Sequence, residues 1–238
     1  MSIENRLYVE LWGNNALFTR PEMKVERYSY DIITPSAARN ILEAIYWHPG
    51  CEYIIDRIYL LSKYNASGVY NCKKDPIKMI SVKRNEVTGK GSAENVVSMM
   101  KNGVEAHICA DKTISQRNSV ILKDVHYVIE AHIEVTDEAN ETDNMTKFLE
   151  IFTRRCDNGQ CFYQPYFGCK EFSCNFALWH NPFSVPCVDL DRDFGLMLYD
   201  MHYPKPNSDG GRSPAEPMFY RAVMHHGVVQ VSGSEVYR

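Results

Sequence analysis

The hydrophobic pattern of this chain switches from a period of two to a helical period and back, then does so again further along, and that doubled switch constrains the fold more tightly than any single residue. Leu7 to Trp12 opens as a strand. Ala38, Ile41, Leu42 and Ile45 follow at helical spacing, behind Thr34 as N-cap and Pro35, whose restricted φ suits the first helical position. Glu52 to Leu61, rich in Ile and Tyr, reads as the second strand. After a long insertion, His126 to Val135 alternates, with Tyr127, Ile129, Ala131 and Ile133 on one face. A second helix then carries Met145, Phe148, Leu149 and Phe152 on its apolar stripe, capped by Asp143 or Thr142 and stopped by Gly159.

The expected fold class is therefore α+β. Its β-α-β, β-α-β order is the split arrangement of ferredoxin-like, RRM-like domains, in which an antiparallel sheet carries helices on one face and leaves the other for a ligand. From about Trp179 the pattern changes. Phe194 to Tyr203 and Phe219 to Val231 read as strands separated by the loop PKPNSDGGRSPAEP. The expected division is a ferredoxin-like domain over residues 1–178, with a basic insertion at about 63–123, and a small C-terminal antiparallel β subdomain over 179–238. A short helix is predicted inside the insertion, near Ala93 to Lys101.

The 238 residues are enough to bury a substantial core, and 45% hydrophobic with 24% charged residues is the balance of an ordinary soluble protein. MSIENRLYVE has no secretory n-region or h-region, and no apolar run approaches the roughly 20 residues of a membrane span. The expected location is cytoplasmic, away from membranes. A formal net charge of −4 hides a segregation: Lys63 to Lys123 holds eleven Lys or Arg against five Asp or Glu, which is +6 locally and leaves −10 elsewhere. A basic lobe on an acidic body is compatible with local nucleic-acid binding.

Eight cysteines without a C-x-x-C pair read as reduced core thiols in such a compartment. The group Cys156, Cys161, Cys169, Cys174 and His180 lacks the tight spacings of a structural zinc site, so no metal and no cofactor are expected. His225-His226 and Asp189, Asp191, Asp193 read as a hairpin turn and a solvated loop.

The candidate chemistry centres on Leu11 to Pro49. Arg20, Lys24 and Arg27 precede the first helix, interleaved with acids and followed by Tyr28 and Tyr30, a mixture suited to phosphates and unstacked bases. At about 100° per residue, Tyr46 and Arg39 fall at one margin of the helix stripe, with Trp47 on the far side.

The run ALFTRPEMKVERYSYDIITPSAARNILEAIYWHP, with LKDVHYVIEAHIEV at Leu122 to Val135 and GQCFYQPYFGCKEF at Gly159 to Phe172, resembles the CRISPR-associated RAMP-superfamily endoribonucleases of type I-C systems. Asn40 departs from the glycine usual in that family. The resemblance covers most of the chain. It implies a RAMP domain that cuts precursor CRISPR RNA within its repeat hairpin without metal, through attack by the substrate's 2′-hydroxyl, and keeps the product while joining the other subunits of a type I-C surveillance complex. The protein alone is expected to be a monomer.

By the same resemblance Tyr46, in the IYW motif, is the catalytic tyrosine, orienting or helping to deprotonate the 2′-hydroxyl. The family's Lys-His pair aligns with Lys147 and Phe148, so the lysine is present to hold the scissile phosphate and the histidine is not. His126 or His48 are the candidates to replace it. Gly168 resembles the glycine with which such proteins approach an RNA backbone, and Arg39, Lys123, Arg154, Arg155 and Lys170 supply further cations for RNA. The competing expectation is a non-catalytic subunit that caps CRISPR RNA in the complex, favoured by the missing histidine.

Overall fold

The computed structural model describes residues 6–23, 25–62, 75–87, 101–102, 114–203 and 215–238. Most of the basic insertion, including 93–100 of the helix expected at Ala93 to Lys101, together with Lys24 and 204–214 of the loop after Tyr203, lies outside the described residues.

Strand β1 (Arg6–Ala16), the short β2 (Arg27–Tyr28), helix α1 (Pro35–Ile45), β3 (Cys51–Leu60), β4 (Met79–Val87) and β5 (Ile114–Val135) make the first part of the described chain. Helix α2 (Met145–Asp157), β6 (Asn175–Leu178), β7 (Arg192–His202), β8 (Glu216–His225), β9 (Val228–Gln230) and β10 (Val236–Tyr237) complete it. All ten strands belong to one sheet, whose main path runs β10-β8-β9-β3-β5-β1-β6. The pairings of β5 with β1 and β3, and of β1 with β6, are antiparallel. Among the described residues the sole parallel pairing in the sheet is β2 with β5.

Alternation explains the core. Leu7, Val9 and Leu11 of β1 and Tyr127, Ile129, Ala131 and Ile133 of β5 pack with Ala38, Ile41, Leu42 and Ile45 of α1 and Phe148 and Phe152 of α2. In β3 the register shifts between Ile55 and Arg57, and this bulge lets Ile55 and Ile58 both join the core while Asp56 turns away from it. Thr34 caps α1 as expected, accepting from the Ala37 N–H at 3.2 Å. The cap of α2 is Asn144, not Asp143 or Thr142: its side chain accepts from the Lys147 N–H at 2.9 Å, while Asp143 is one residue too early and spends its carboxylate elsewhere.

The second face of β5 is not left bare for a ligand. His126, Val128, Glu130 and His132 are buried there beneath a charged network: His126 meets Glu10 at 2.6 Å, His132 meets Asp56 at 2.8 Å, and Glu130 joins Arg6, Arg57 and Tyr59. The C-terminal strands join the sheet through β9 on β3, and Met197, Tyr220, Ala222 and Met224 extend the core that α1 covers.

Candidate active site

The site forms where α1 ends. The helix stops at Ile45, and Tyr46 is its C-cap with extended backbone, φ −147° and ψ 120°. The 100° wheel therefore no longer applies at Tyr46, and the margin shared with Arg39 dissolves. Arg39 points instead to β7, where it makes a bidentate ion pair with Asp200, Nη2 to Oδ1 at 2.9 Å, and reaches Glu43. A guanidinium held this way is a staple between α1 and β7 rather than part of the cluster around Tyr46.

The last carbonyls of α1 need donors, because a helix end leaves them without intrahelical partners. The Ala44 carbonyl accepts from the Phe162 and Tyr163 N–H groups at 2.8 and 3.3 Å, and the Ile45 carbonyl accepts from Arg155 Nη1 at 3.2 Å. Arg155 brings its cation to the negative end of the helix dipole, and its guanidinium also lies over the Tyr46 ring, 5.0 Å from the centroid. Tyr53 donates to the Tyr46 carbonyl at 2.7 Å, and the Tyr46 ring leans on Phe148 with centroids 6.3 Å apart. Tyr46 is 7% exposed, and burial raises its phenol pKa above the ordinary value, against the smaller pull of Arg155 and Lys147. The phenol keeps its proton at neutral pH. A protonated phenol is a hydrogen-bond donor.

Lys147 reaches the same place from the first turn of α2. Its Nζ donates to Asp143 Oδ1 at 2.7 Å, and Asp143 Oδ2 accepts from both the N–H and the side-chain amide of Asn140 at 3.0 Å each. The Lys147 ammonium and these donors hold the Asp143 carboxyl down at about 2, from an ordinary 3.8. Such a group stabilises the folded chain above the unfolded pKa, and the effect is lost as pH falls through the folded one. The stability difference between wild type and Asp143→Asn, measured by urea unfolding, is therefore expected to be full at pH 7 and to shrink progressively between about pH 5 and pH 1. A difference that is undiminished at about pH 1 refutes the assignment.

His48 completes the cluster, its ring against Phe148 with centroids 5.2 Å apart and its Nε2 3.7 Å from Asp143 Oδ2. His126 does not belong to it. It sits on the opposite face of the sheet beside Trp12 and Glu10, because β5 alternates and Tyr127 takes the helix-side position. Phe148 is fully buried, as its place in the stripe implied.

The other expected RNA contacts fall into separate groups. Arg20 stacks on Tyr30 at 4.5 Å and Tyr28 at 5.9 Å and pairs with Asp31. Arg27 approaches the Cys169 sulfur at 3.6 Å, which sets it beside the loop holding the exposed Lys170. Lys123 is exposed on β5 next to Asp124, whose φ of 57° breaks the strand's alternation there. Arg154 lines an open groove with Thr146, Glu150 and Asn158. Gly168 has φ +78°, and a Cβ there would stand 2.0 Å from the Leu17 carbonyl oxygen, so the position needs glycine for a close approach of the protein's own chain.

Sequence reasoning missed two things. Asp143 organises the cluster, and the signal was its i,i+4 spacing to Lys147. Phe162 and Tyr163 are exposed aromatics tied to the end of α1, and only the fold brings them there. Among the described residues no three or more His, Cys, Asp or Glu come together as metal ligands; Cys156 and Cys174 lie in the core, and burial pushes the Cys156 thiol up to about 12.

An antiparallel sheet backed by helices on one face, with a phenol, an imidazole, a carboxylate and two cations gathered at a helix end, defines an α+β protein. A family model described as CRISPR-associated protein (Cas5) matches residues 6–232, and the chain belongs to that family. It is 42% identical over 234 residues to the CRISPR pre-crRNA endoribonuclease Cas5d of Mannheimia succiniciproducens, covering 95% of each chain. It is 34% identical over 247 residues to the Cas5d of the same description from Thermus thermophilus, covering 98% of this chain and 95% of that one. Among solved structures it resembles a CRISPR-associated protein with TM-score 0.63 at 19% identity, over 98% of this chain and 96% of the other. A functionally uncharacterized protein from Streptococcus mutans superposes with TM-score 0.61 at 19% identity, over 98% and 97%.

Proposed function

We propose that this protein is a metal-independent endoribonuclease that cuts precursor CRISPR RNA within the repeat and keeps the product in a type I-C surveillance complex in the cytoplasm. The observation that carries this reading is the meeting of Tyr46, Lys147 and Arg155 at the end of α1, in a chain 42% identical to a protein named for that activity. In the reaction the 2′-oxygen attacks the adjacent phosphorus and the bond from phosphorus to the 5′-oxygen breaks. The products are a 2′,3′-cyclic phosphate and a 5′-hydroxyl, with the proton lost at one oxygen replaced at the other.

Tyr46 donates to the reacting sugar-phosphate and orients it, while Lys147 meets the charge growing on the phosphate. Arg155 holds the tyrosine and adds positive potential. His126, across the sheet, has no part. Exposed Trp47, Phe162 and Tyr163 offer faces for unpaired bases near the cut, and Arg27, Lys123, Arg154 and Lys170 suit the phosphates that lead there.

The strand order β3-β5-β1-β6, with α1 and α2 between its pairs, supports a ferredoxin-like, RRM-like core within residues 1–178. Residues 179–238 then act as a β-rich buttress beneath α1. No helix among the described residues is long and apolar enough to cross a membrane.

The test is cleavage of the organism's own repeat RNA in EDTA, with product ends mapped. A single cut leaving a 5′-hydroxyl, undiminished by the chelator, is expected. Tight binding without a cut makes the protein a capping subunit instead.

A further inference from the structure

His48 is held more firmly than a surface histidine needs to be. The Gly50 N–H donates to its Nδ1 at 3.0 Å, so Nδ1 is the acceptor and the imidazole proton resides on Nε2. The turn that carries it is locked: the Cys51 N–H bonds to the His48 carbonyl at 3.0 Å and the Thr136 N–H to the Gly50 carbonyl at 3.1 Å. A Cβ at Gly50 would stand 2.6 Å from the Ala139 Cα, so the turn packs directly on the chain leading to α2. Phe148 braces the ring from below.

The Nε2–H so fixed is not consumed. Asp143 Oδ2 is 3.7 Å away, beyond hydrogen-bond reach, and the carboxylate is already satisfied by Asn140 and Lys147. The side chain of His48 is 27% exposed, so a ligand can reach it. Tyr46, two residues earlier, and Lys147, bonded to Asp143, stand around the same point. Among the described residues it is the one histidine that does so.

We propose that His48 is a further catalytic residue, giving the hydrogen bond of its neutral Nε2–H to a non-bridging oxygen of the scissile phosphate. The inference rests on the endoribonuclease reading. The Gly50 N–H occupies Nδ1, so the contact with the phosphate is made through Nε2. It is a preorganised donor whose contact strengthens as negative charge builds on the phosphate oxygens.

Single-turnover cleavage of repeat RNA by wild type, His48→Ala and His48→Gln, with RNA affinity and melting temperature measured for each, tests this. His48→Ala is expected to slow cleavage on the order of 100-fold while RNA affinity stays within about twofold. His48→Gln, whose amide N–H reaches a similar place but cannot ionise, is expected to recover the rate to within about tenfold of wild type. An alanine variant that cuts at the wild-type rate overturns the proposal. So does a glutamine variant as slow as the alanine one, which would make His48 a proton carrier. If the wild type binds RNA without cutting, the endoribonuclease reading itself fails; if only Tyr46→Phe cuts normally, the role of Tyr46 falls and that of His48 stands.

Discussion

Tyr46→Phe is expected to lower single-turnover cleavage by roughly 10³-fold and to leave RNA affinity within about twofold. The substitution removes one oxygen and nothing that holds the ring. Phenylalanine keeps the contact with Phe148, the face beneath the Arg155 guanidinium, and the backbone carbonyl that receives the Tyr53 hydroxyl. At 7% exposure the ring is packed, so the melting temperature should move little. What is lost is a donor that burial keeps protonated. Because the phenol starts neutral, its contribution belongs to the transition state, where the phosphate oxygens gain charge, and the deficit should appear in the rate rather than in binding. Rapid mixing of excess protein with labelled repeat RNA measures both. Cleavage by the variant within threefold of wild type would take Tyr46 out of the mechanism.

The fold's helical half was legible in the sequence, and the reason is local. Thr34, Pro35 and the stripe Ala38, Ile41, Leu42, Ile45 define α1 without any distant partner, and it runs Pro35–Ile45. The inward set of β5 was equally readable, since Tyr127, Ile129, Ala131 and Ile133 alternate cleanly. The rest of β5 was not. It begins at Ile114, inside what looked like insertion, and Asp124 in the left-handed region interrupts the alternation that would have joined the two halves. β6 spans only Asn175–Leu178 at partial burial, too short to leave a period.

The site divides along the same line. Tyr46 and Lys147 were reached by resemblance, and Asp143 was visible only as a possible cap. Arg39 was misplaced because its partner, Asp200, lies 161 residues away and no local pattern announces it. Gly168 shows a related limit of local pattern: glycine at positive φ looks the same in sequence whether RNA or the Leu17 carbonyl approaches it, and the Leu17 contact came only with the fold.

The polar residues of β5 carry the second large expectation. Glu130→Ala should destabilise the folded chain by about 3 kcal/mol, as removal of one partner from a buried ionic network does. Glu130 has 0% side-chain exposure, and its carboxylate answers Arg6, Arg57 at 3.4 Å and the Tyr59 hydroxyl at 2.5 Å. Arg6 and Arg57 remain partly exposed and recover water when the carboxylate goes, which limits the loss. The half-buried Tyr59 recovers less, and its hydroxyl loses the acceptor that, after burial, most raises its pKa. Since β1, β5 and β3 are adjacent, the network crosses the middle of the sheet, and its loss should lower global stability rather than fray an edge. Urea unfolding followed by far-UV circular dichroism reads the change. A loss below 1 kcal/mol would mean that water replaces the carboxylate on this face, which would then be far more open than the burial of His126, Glu130 and His132 implies.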